Sequence, residues 1–97
     1  MSQFEKLLAA IRNNTRSVKY RDASKVAEHY FGKPRVRGSH SVYTMPWAGF
    51  PRVNLQNVGG YVDSYQIAQL LDAIDKLEGE MGANSNAEEM RGGGDQA

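Results

Sequence analysis

The absence of several residue types and patterns from this sequence of 97 residues already excludes several classes of protein. It contains no cysteine and two histidines, which excludes a disulfide framework and a thiolate metal site and leaves too few ligands for a structural zinc site. No apolar run approaches the ~20 residues that span a bilayer, and Glu5 and Lys6 interrupt any signal-peptide pattern, so we expect neither membrane insertion nor ordinary export. A chain of this length forms one domain, which excludes TIM barrels and full dinucleotide-binding folds.

The charge of the chain is unevenly distributed, although lysines and arginines nearly balance aspartates and glutamates at 12 against 11. Residues 12–52 carry nine basic and two acidic residues, a formal charge of +7. Residues 53–97 carry two basic and eight acidic residues, a charge of −6. The basic half is either a solvated face or a phosphate-facing surface. We favour the second, because +7 over about 40 residues exceeds what solubility requires.

The first and last helices are predicted from apolar stripes at helical spacing. Ser2 and Glu5 have the spacing of a capping box, and Asn13-Asn14 ends the helix that follows. Its stripe consists of Phe4, Leu7, Leu8 and Ile11. Asp63 and Gln66 are a predicted cap pair for the last helix, whose stripe consists of Ile67, Leu70, Leu71, Ile74 and Leu77.

A second helix is predicted between a short extended segment at residues 18–20 and the basic strands. Asp22 is its predicted N-terminal cap, and Gly32 is placed for a left-handed C-terminal cap. Pro34 then prevents the helix from resuming. Its predicted core face consists of Ala23, Val26, Ala27 and Tyr30.

Three short antiparallel strands are predicted in residues 35–37, 39–45 and 52–56. A connection rich in proline and glycine, residues 46–51, separates the last two, and Gly59-Gly60 ends the third. The third strand alternates, with Val53 and Leu55 on one face and Arg52, Asn54 and Gln56 on the other. We therefore expect an α+β fold in which a three-stranded antiparallel sheet packs against helices and keeps one face wet.

Three parts of the chain are distinguished by this pattern. Residues 1–17 form an N-terminal amphipathic helix, residues 18–78 form the α+β domain, and residues 79–97 are predicted to be a disordered tail. The tail is rich in glycine, asparagine and glutamate, and it has too little apolar surface to offset the entropy of ordering.

His40 is the candidate catalytic residue, in the segment Gly38-Ser39-His40 with Arg35 and Arg37 before it. A neutral imidazole can accept a proton from a ribose 2′-hydroxyl, and guanidinium groups can stabilise charge that develops on a phosphate. Gly38 allows a backbone to approach a ligand closely. The alternative is a strand-edge histidine beside surface arginines. Strand alternation leaves the orientation of His40 open, because it shares a face with Val42, which could be core.

The aromatic residues of the connecting loop have two interpretations. Trp47 and Phe50 could stack on unpaired bases, or they could pack the loop onto its own sheet.

The pattern from Gly38-Ser39-His40 through the strand at residues 52–56 to the closing amphipathic helix resembles the HicA toxins of bacterial toxin–antitoxin modules. The preceding helix ending Tyr30-Phe31-Gly32 belongs to the same pattern. The resemblance covers residues 18–78 and implies a double-stranded-RNA-binding-domain-like fold, helix–three strands–helix, here with an extra N-terminal helix.

The resemblance also implies an activity, a partner and a location. The activity is metal-independent mRNA endonuclease cleavage with no cofactor, with His40 as the catalytic residue and Gly38 and Ser39 as the motif residues that place it. The basic residues themselves, and not the resemblance, suggest Arg35, Arg37 and Arg52 as the phosphate contacts. The partners are mRNA and a HicB-type antitoxin, and the location is the cytoplasm. A non-catalytic RNA-binding module and a protein–protein interaction domain are the alternatives.

One departure from the family pattern affects the chemistry. Many members carry a proline, a basic residue and a histidine after the third strand, where this chain has Asn57-Val58-Gly59-Gly60. A second proton-transfer group is therefore absent from that segment, and the general acid is unassigned.

Overall fold

The computed structural model describes residues 2–82, which form three helices and five short strands. In chain order these are α1 (Gln3–Asn13), β1 (Val18–Lys19), α2 (Tyr20–Phe31), β2 (Arg35–Arg37), β3 (His40–Val42), β4 (Asn54–Gln56), β5 (Tyr61–Val62) and α3 (Ser64–Gly82). The predicted α+β class is confirmed, and so is the antiparallel sheet of three strands, in the order β2-β3-β4. No helix in this part of the chain is long and apolar enough to cross a membrane.

Helix α1 begins with the predicted capping box. The backbone N–H of Glu5 donates to Oγ of Ser2 at 3.1 Å, and the backbone N–H of Ser2 donates to Oε1 of Glu5 at 3.0 Å. These bonds satisfy two backbone donors that have no partner inside the helix. The apolar stripe packs on the core, with Ile11 buried and Phe4, Leu7 and Leu8 partly buried.

Helix α2 begins at Tyr20, so the prediction that Asp22 caps it is wrong. Lys19 occupies the cap position without a side-chain hydrogen bond. The backbone N–H of Tyr20 instead donates to the carbonyl of Gly60 at 2.8 Å, a contact distant in sequence that no local pattern signals. Asp22 lies in the first turn, where its charge still complements the helix dipole. Gly32 ends the helix at φ 83° and ψ −172°, so its φ is positive as predicted but its conformation is not left-handed helical.

A two-stranded ribbon pairs β1, which lies in the extended segment predicted at residues 18–20, with β5, which the sequence pattern does not predict. Val18 lies opposite Val62 and Lys19 opposite Tyr61 in antiparallel register. A strand of two residues carries no detectable periodicity, which is why the sequence pattern reveals neither β5 nor its pairing with β1. Gly59-Gly60 form the turn before β5, between the bridge partners Val58 and Tyr61.

Helix α3 has the predicted apolar stripe and is capped by Asp63 as predicted, but Gln66 has a different partner and the helix ends later. Oδ2 of Asp63 accepts from the backbone N–H of Tyr65 at 2.9 Å, whereas Oε1 of Gln66 accepts from the backbone N–H of Gln56 in β4 at 2.8 Å. The predicted cap pair is therefore wrong for Gln66, which joins the helix to the sheet. The helix continues to Gly82, past the predicted start of the tail at residue 79. The remainder of the predicted tail, residues 83–97, lies outside the described residues.

The core lies between the inner face of the sheet and helices α2 and α3. Its largest fully buried apolar side chains come from these three sources: Val26, Val53, Leu55, Ile67, Leu70 and Ile74. The alternation predicted for the third strand is confirmed, because Val53 and Leu55 are buried while Arg52 and Asn54 are exposed. This two-layer arrangement leaves the outer face of the sheet to solvent.

Candidate functional site

The segment Gly38-Ser39-His40 forms a hairpin turn and the first residue of the strand after it. Arg37 pairs with His40 across the hairpin, so Gly38 and Ser39 are its two turn residues. Gly38 has a φ of +60°, which two-residue hairpin turns require at this position. A Cβ on Gly38 would meet nothing within 4 Å, so backbone conformation rather than space accounts for the glycine. The turn fixes where His40 enters the sheet.

The register of the sheet places the predicted site residues on one face. His40 lies between Arg37 and Gln56, and Val42 lies between Arg35 and Asn54. Side chains of directly paired residues point the same way. The neighbours on the other face, Ser41 and Leu55, are fully buried, whereas Val42 is 40% exposed. The open question is thereby answered: His40 and Val42 lie on the outer, solvent-facing side with Arg35 and Arg37.

His40 is held by an amide that sequence reasoning did not single out. Nδ1 of His40 lies 3.3 Å from Oδ1 of Asn54, on the adjacent strand and diagonal to it in the register. When Nδ1 carries the proton, it donates to Oδ1, and Nε2 keeps a lone pair that can accept a proton. The alternation of the third strand already placed Asn54 on the wet face, but its distance from His40 depends on the register between the two strands.

The inner face anchors the same strand. The hydroxyls of Ser41 and Tyr20 form a hydrogen bond between β3 and α2. Ser41 is fully buried, so this bond supplies its hydroxyl with the partner that burial demands. The residue next to His40 is therefore attached to the helix layer. The Tyr43 hydroxyl is buried without a hydrogen-bond partner among the described residues, and burial raises the pKa of Tyr43 above its ordinary value.

Arg52 lies beyond Asn54 on the outer face and lines a cleft of about 390 Å³ between the sheet, the loop and α3. Phe50 and Tyr65 also line this cleft and are 78% and 68% exposed. Arg52 thus stands beside the cleft, whereas Arg35 and Arg37 lie on the edge strand β2. Sequence reasoning did not identify Tyr65, because nothing local to the start of α3 shows that it faces the loop.

Trp47 and Phe50 have different surroundings, although both lie in the same loop. Nε1 of Trp47 donates to the carbonyl of Pro51 at 2.7 Å, and the ring meets Phe31 edge-on at 6.1 Å between centroids. The ammonium of Lys76 lies 5.1 Å from the centroid of the Trp47 ring. These contacts favour the packing interpretation for Trp47, with the helices rather than the sheet as its support. They leave Phe50 as the exposed aromatic residue of the loop.

The acidic residues of α3 that the structure describes include two with partners in the helix layer. Arg12 binds Asp75 at 2.8 Å between Nη2 and Oδ1, and the Tyr30 hydroxyl donates to Oε2 of Glu78 at 2.9 Å. The hydrogen bond to Asp75 raises the pKa of Arg12. Burial, followed by the bond to Glu78, raises the pKa of Tyr30 to about 12. These carboxylates therefore join α3 to α1 and α2, away from the sheet face that carries His40.

The chain matches no protein-family model, no curated protein and no solved structure at a significant level. Within residues 2–82, no three histidine, aspartate or glutamate side chains come together as a group that could hold a metal ion. The candidate site is therefore defined by its own geometry: an imidazole with one amide partner, two arginines on the edge strand, and an aromatic cleft beside a third arginine.

Proposed function

We propose that this protein is a metal-independent endoribonuclease that cleaves mRNA with His40 as its catalytic residue. The observation that carries the proposal is the position of the His40 imidazole, which lies on the open face of the sheet, hydrogen-bonded to Asn54 and paired across the hairpin with Arg37. A histidine with one ring nitrogen held and the other available fits a general base. The surrounding positive charge fits a phosphodiester substrate.

In the proposed reaction, Nε2 of His40 takes the proton of a ribose 2′-hydroxyl. The 2′-oxygen then attacks the adjacent phosphorus, and the bond from phosphorus to the 5′-oxygen of the next nucleotide breaks. The products are a 2′,3′-cyclic phosphate and a 5′-hydroxyl, whose proton comes from water. Arg35 and Arg37 bind the phosphate and stabilise the negative charge that develops on it.

The same proposal places the protein in a biological setting. It is the toxin component of a HicA-type toxin–antitoxin module in the cytoplasm, with mRNA as substrate and a HicB-type antitoxin as protein partner. The fold proposed for it is the double-stranded-RNA-binding-domain type, and the order α2, β2, β3, β4 and α3, with β5 inserted before α3, supports this assignment. Support comes from the Gly-Ser-His segment at a hairpin turn and from the three-stranded sheet with one exposed face.

The deciding experiment is cleavage of single-stranded RNA by purified protein in excess chelator. We expect the wild type to cleave and His40→Ala to lose at least about 100-fold in rate, as general-base catalysis contributes roughly 10²–10⁴-fold. His29→Ala is the matched control, because His29 is an exposed histidine of α2 whose ring lies against Phe4 of α1, at 3.9 Å between ring centroids, and it is not part of the sheet that carries His40. Equal cleavage by wild type and His40→Ala would reject the assignment.

RNA binding that weakens with salt but leads to no cleavage would instead support a non-catalytic RNA-binding module. The absence of any RNA affinity at low salt would support a protein–protein interaction domain. Expression in cells separates the toxin role from these two alternatives. The proposal requires that expression of the wild type arrests growth and that expression of His40→Ala does not.

A further inference from the structure

The cleft between the loop and α3 carries two aromatic rings that the fold does not use. Phe50 is 78% exposed and Tyr65 is 68% exposed, and both line the cleft. Neither makes an aromatic ring contact within residues 2–82, unlike Trp47 and Phe31, which pack against each other. An exposed ring contributes little to folding, so a pair of exposed rings lining one cleft indicates a ligand with a flat apolar face.

Polar groups line the same cleft at positions that suit the edge of such a ligand. Asn54, Gln66 and Gln69 are among its lining residues. Since Oε1 of Gln66 already accepts from the backbone of Gln56, its amide N–H groups are the part of Gln66 that can still donate. Amides that can both donate and accept are the groups that read the edge of a nucleobase.

The cleft adjoins the site proposed for catalysis. Asn54 both hydrogen-bonds to the His40 imidazole and lines the cleft, so the two sites share this residue. Arg52 lines the cleft as well and supplies a cation for a phosphate attached to the ligand. A volume of about 390 Å³ lies within the usual range for small-ligand sites, roughly 300–1,000 Å³.

We propose that this cleft binds the base of an unpaired nucleotide next to the cleaved phosphodiester, with stacking on Phe50 and Tyr65. The inference rests on the proposed ribonuclease function and names a base subsite for it. Stacking rings, edge-reading amides and a phosphate-binding cation form the set that single-stranded RNA requires. A folded RNA duplex keeps its bases stacked inside and does not enter such a cleft, so the substrate class is single-stranded RNA.

The test measures binding separately from cleavage. In a His40→Ala background, the Kd of a single-stranded RNA hexamer is compared with the Kd of a hexamer of the same backbone without bases. We expect Phe50→Ala and Tyr65→Ala each to raise the Kd for RNA about five- to hundred-fold and to leave the Kd of the base-free hexamer unchanged. Phe50→Tyr and Tyr65→Phe keep a ring and should restore RNA binding.

Tyr61→Ala is the matched control, because Tyr61 is an exposed tyrosine of β5 that does not line this cleft. It should leave both Kd values unchanged. RNA affinity that is insensitive to both ring deletions overturns the subsite, as does an equal loss for the RNA and the base-free hexamer. In parallel, RNA cleavage is measured for Phe50→Ala and Tyr65→Ala variants in which His40 is intact. RNA binding that depends on the rings, without any cleavage, rejects the ribonuclease function and supports the base subsite. Cleavage that neither ring deletion affects supports the ribonuclease function and rejects the base subsite.

Discussion

Removing one hydroxyl from the Tyr20–Ser41 pair should destabilise the protein more than removing both. The two hydroxyls meet between α2 and β3, and Ser41 is fully buried there. Tyr20→Phe leaves the Ser41 hydroxyl without a partner and without access to water, which costs about 1–3 kcal/mol. Ser41→Ala leaves the Tyr20 hydroxyl unpaired, but Tyr20 is only half-buried, so hydration limits the loss to about 0.5–1.5 kcal/mol.

The double variant Tyr20→Phe/Ser41→Ala replaces both partners by apolar groups of nearly the same shape, and it should be within about 1 kcal/mol of the wild type. The free energy of unfolding is obtained from urea titrations followed by the fluorescence of Trp47, the one tryptophan in the chain. For a domain of this size each 1 kcal/mol corresponds to about 4–8 °C in Tm. A double variant as unstable as the sum of the two single variants would refute the reasoning, because it would show that the hydroxyls are not coupled.

Three further outcomes are expected. Tyr43→Phe removes a buried hydroxyl that has no partner among the described residues, so the free energy of unfolding should rise by about 1 kcal/mol; a lower value in urea titration would contradict this. Burial and the bond to Glu78 raise the pKa of Tyr30 to about 12 from an ordinary 10.0, so the unfolded chain loses this proton first and stability falls as the pH rises from about 10 to 12. Tyr30→Phe should reduce that slope without abolishing it, since the pKa of Tyr43 is raised as well, and Tm measured across this range checks the sign. Asn54→Ala should lower kcat for RNA cleavage about fivefold at neutral pH, the effect of ~1 kcal/mol. An unchanged kcat would argue against a role for Asn54 in positioning His40.

The sequence predicts those parts of the fold that local patterns determine. The capping box of Ser2 and Glu5 depends on residues three positions apart, and the alternation of Val53 and Leu55 depends on the period of a strand, so both were readable. The start of α2 and the role of Gln66 cannot be predicted in this way, because each depends on a backbone group distant in sequence: the carbonyl of Gly60 and the N–H of Gln56.

The candidate site divides in the same way. His40 and its two neighbouring arginines are close in sequence, and a hairpin keeps them close in space. Asn54 and Tyr65 join the site only through strand register and helix packing, which one sequence does not reveal. The sequence alone does not say which face of the sheet His40 occupies. The exposure of Val42 settles it, because alternation along β3 places His40 on the same face as Val42.

Strand β2 lies at the edge of the three-stranded sheet, and its residues Arg35, Val36 and Arg37 are all exposed. An exposed edge strand offers unpaired backbone groups to another chain, and charged side chains beside them are a common protection against edge-to-edge aggregation. Arg35 and Arg37 thus disfavour edge-to-edge association of the protein, in addition to facing the proposed substrate. Variants that test phosphate binding should therefore carry glutamine rather than leucine at these positions, because an apolar edge around Val36 would favour self-association that could be mistaken for loss of RNA affinity.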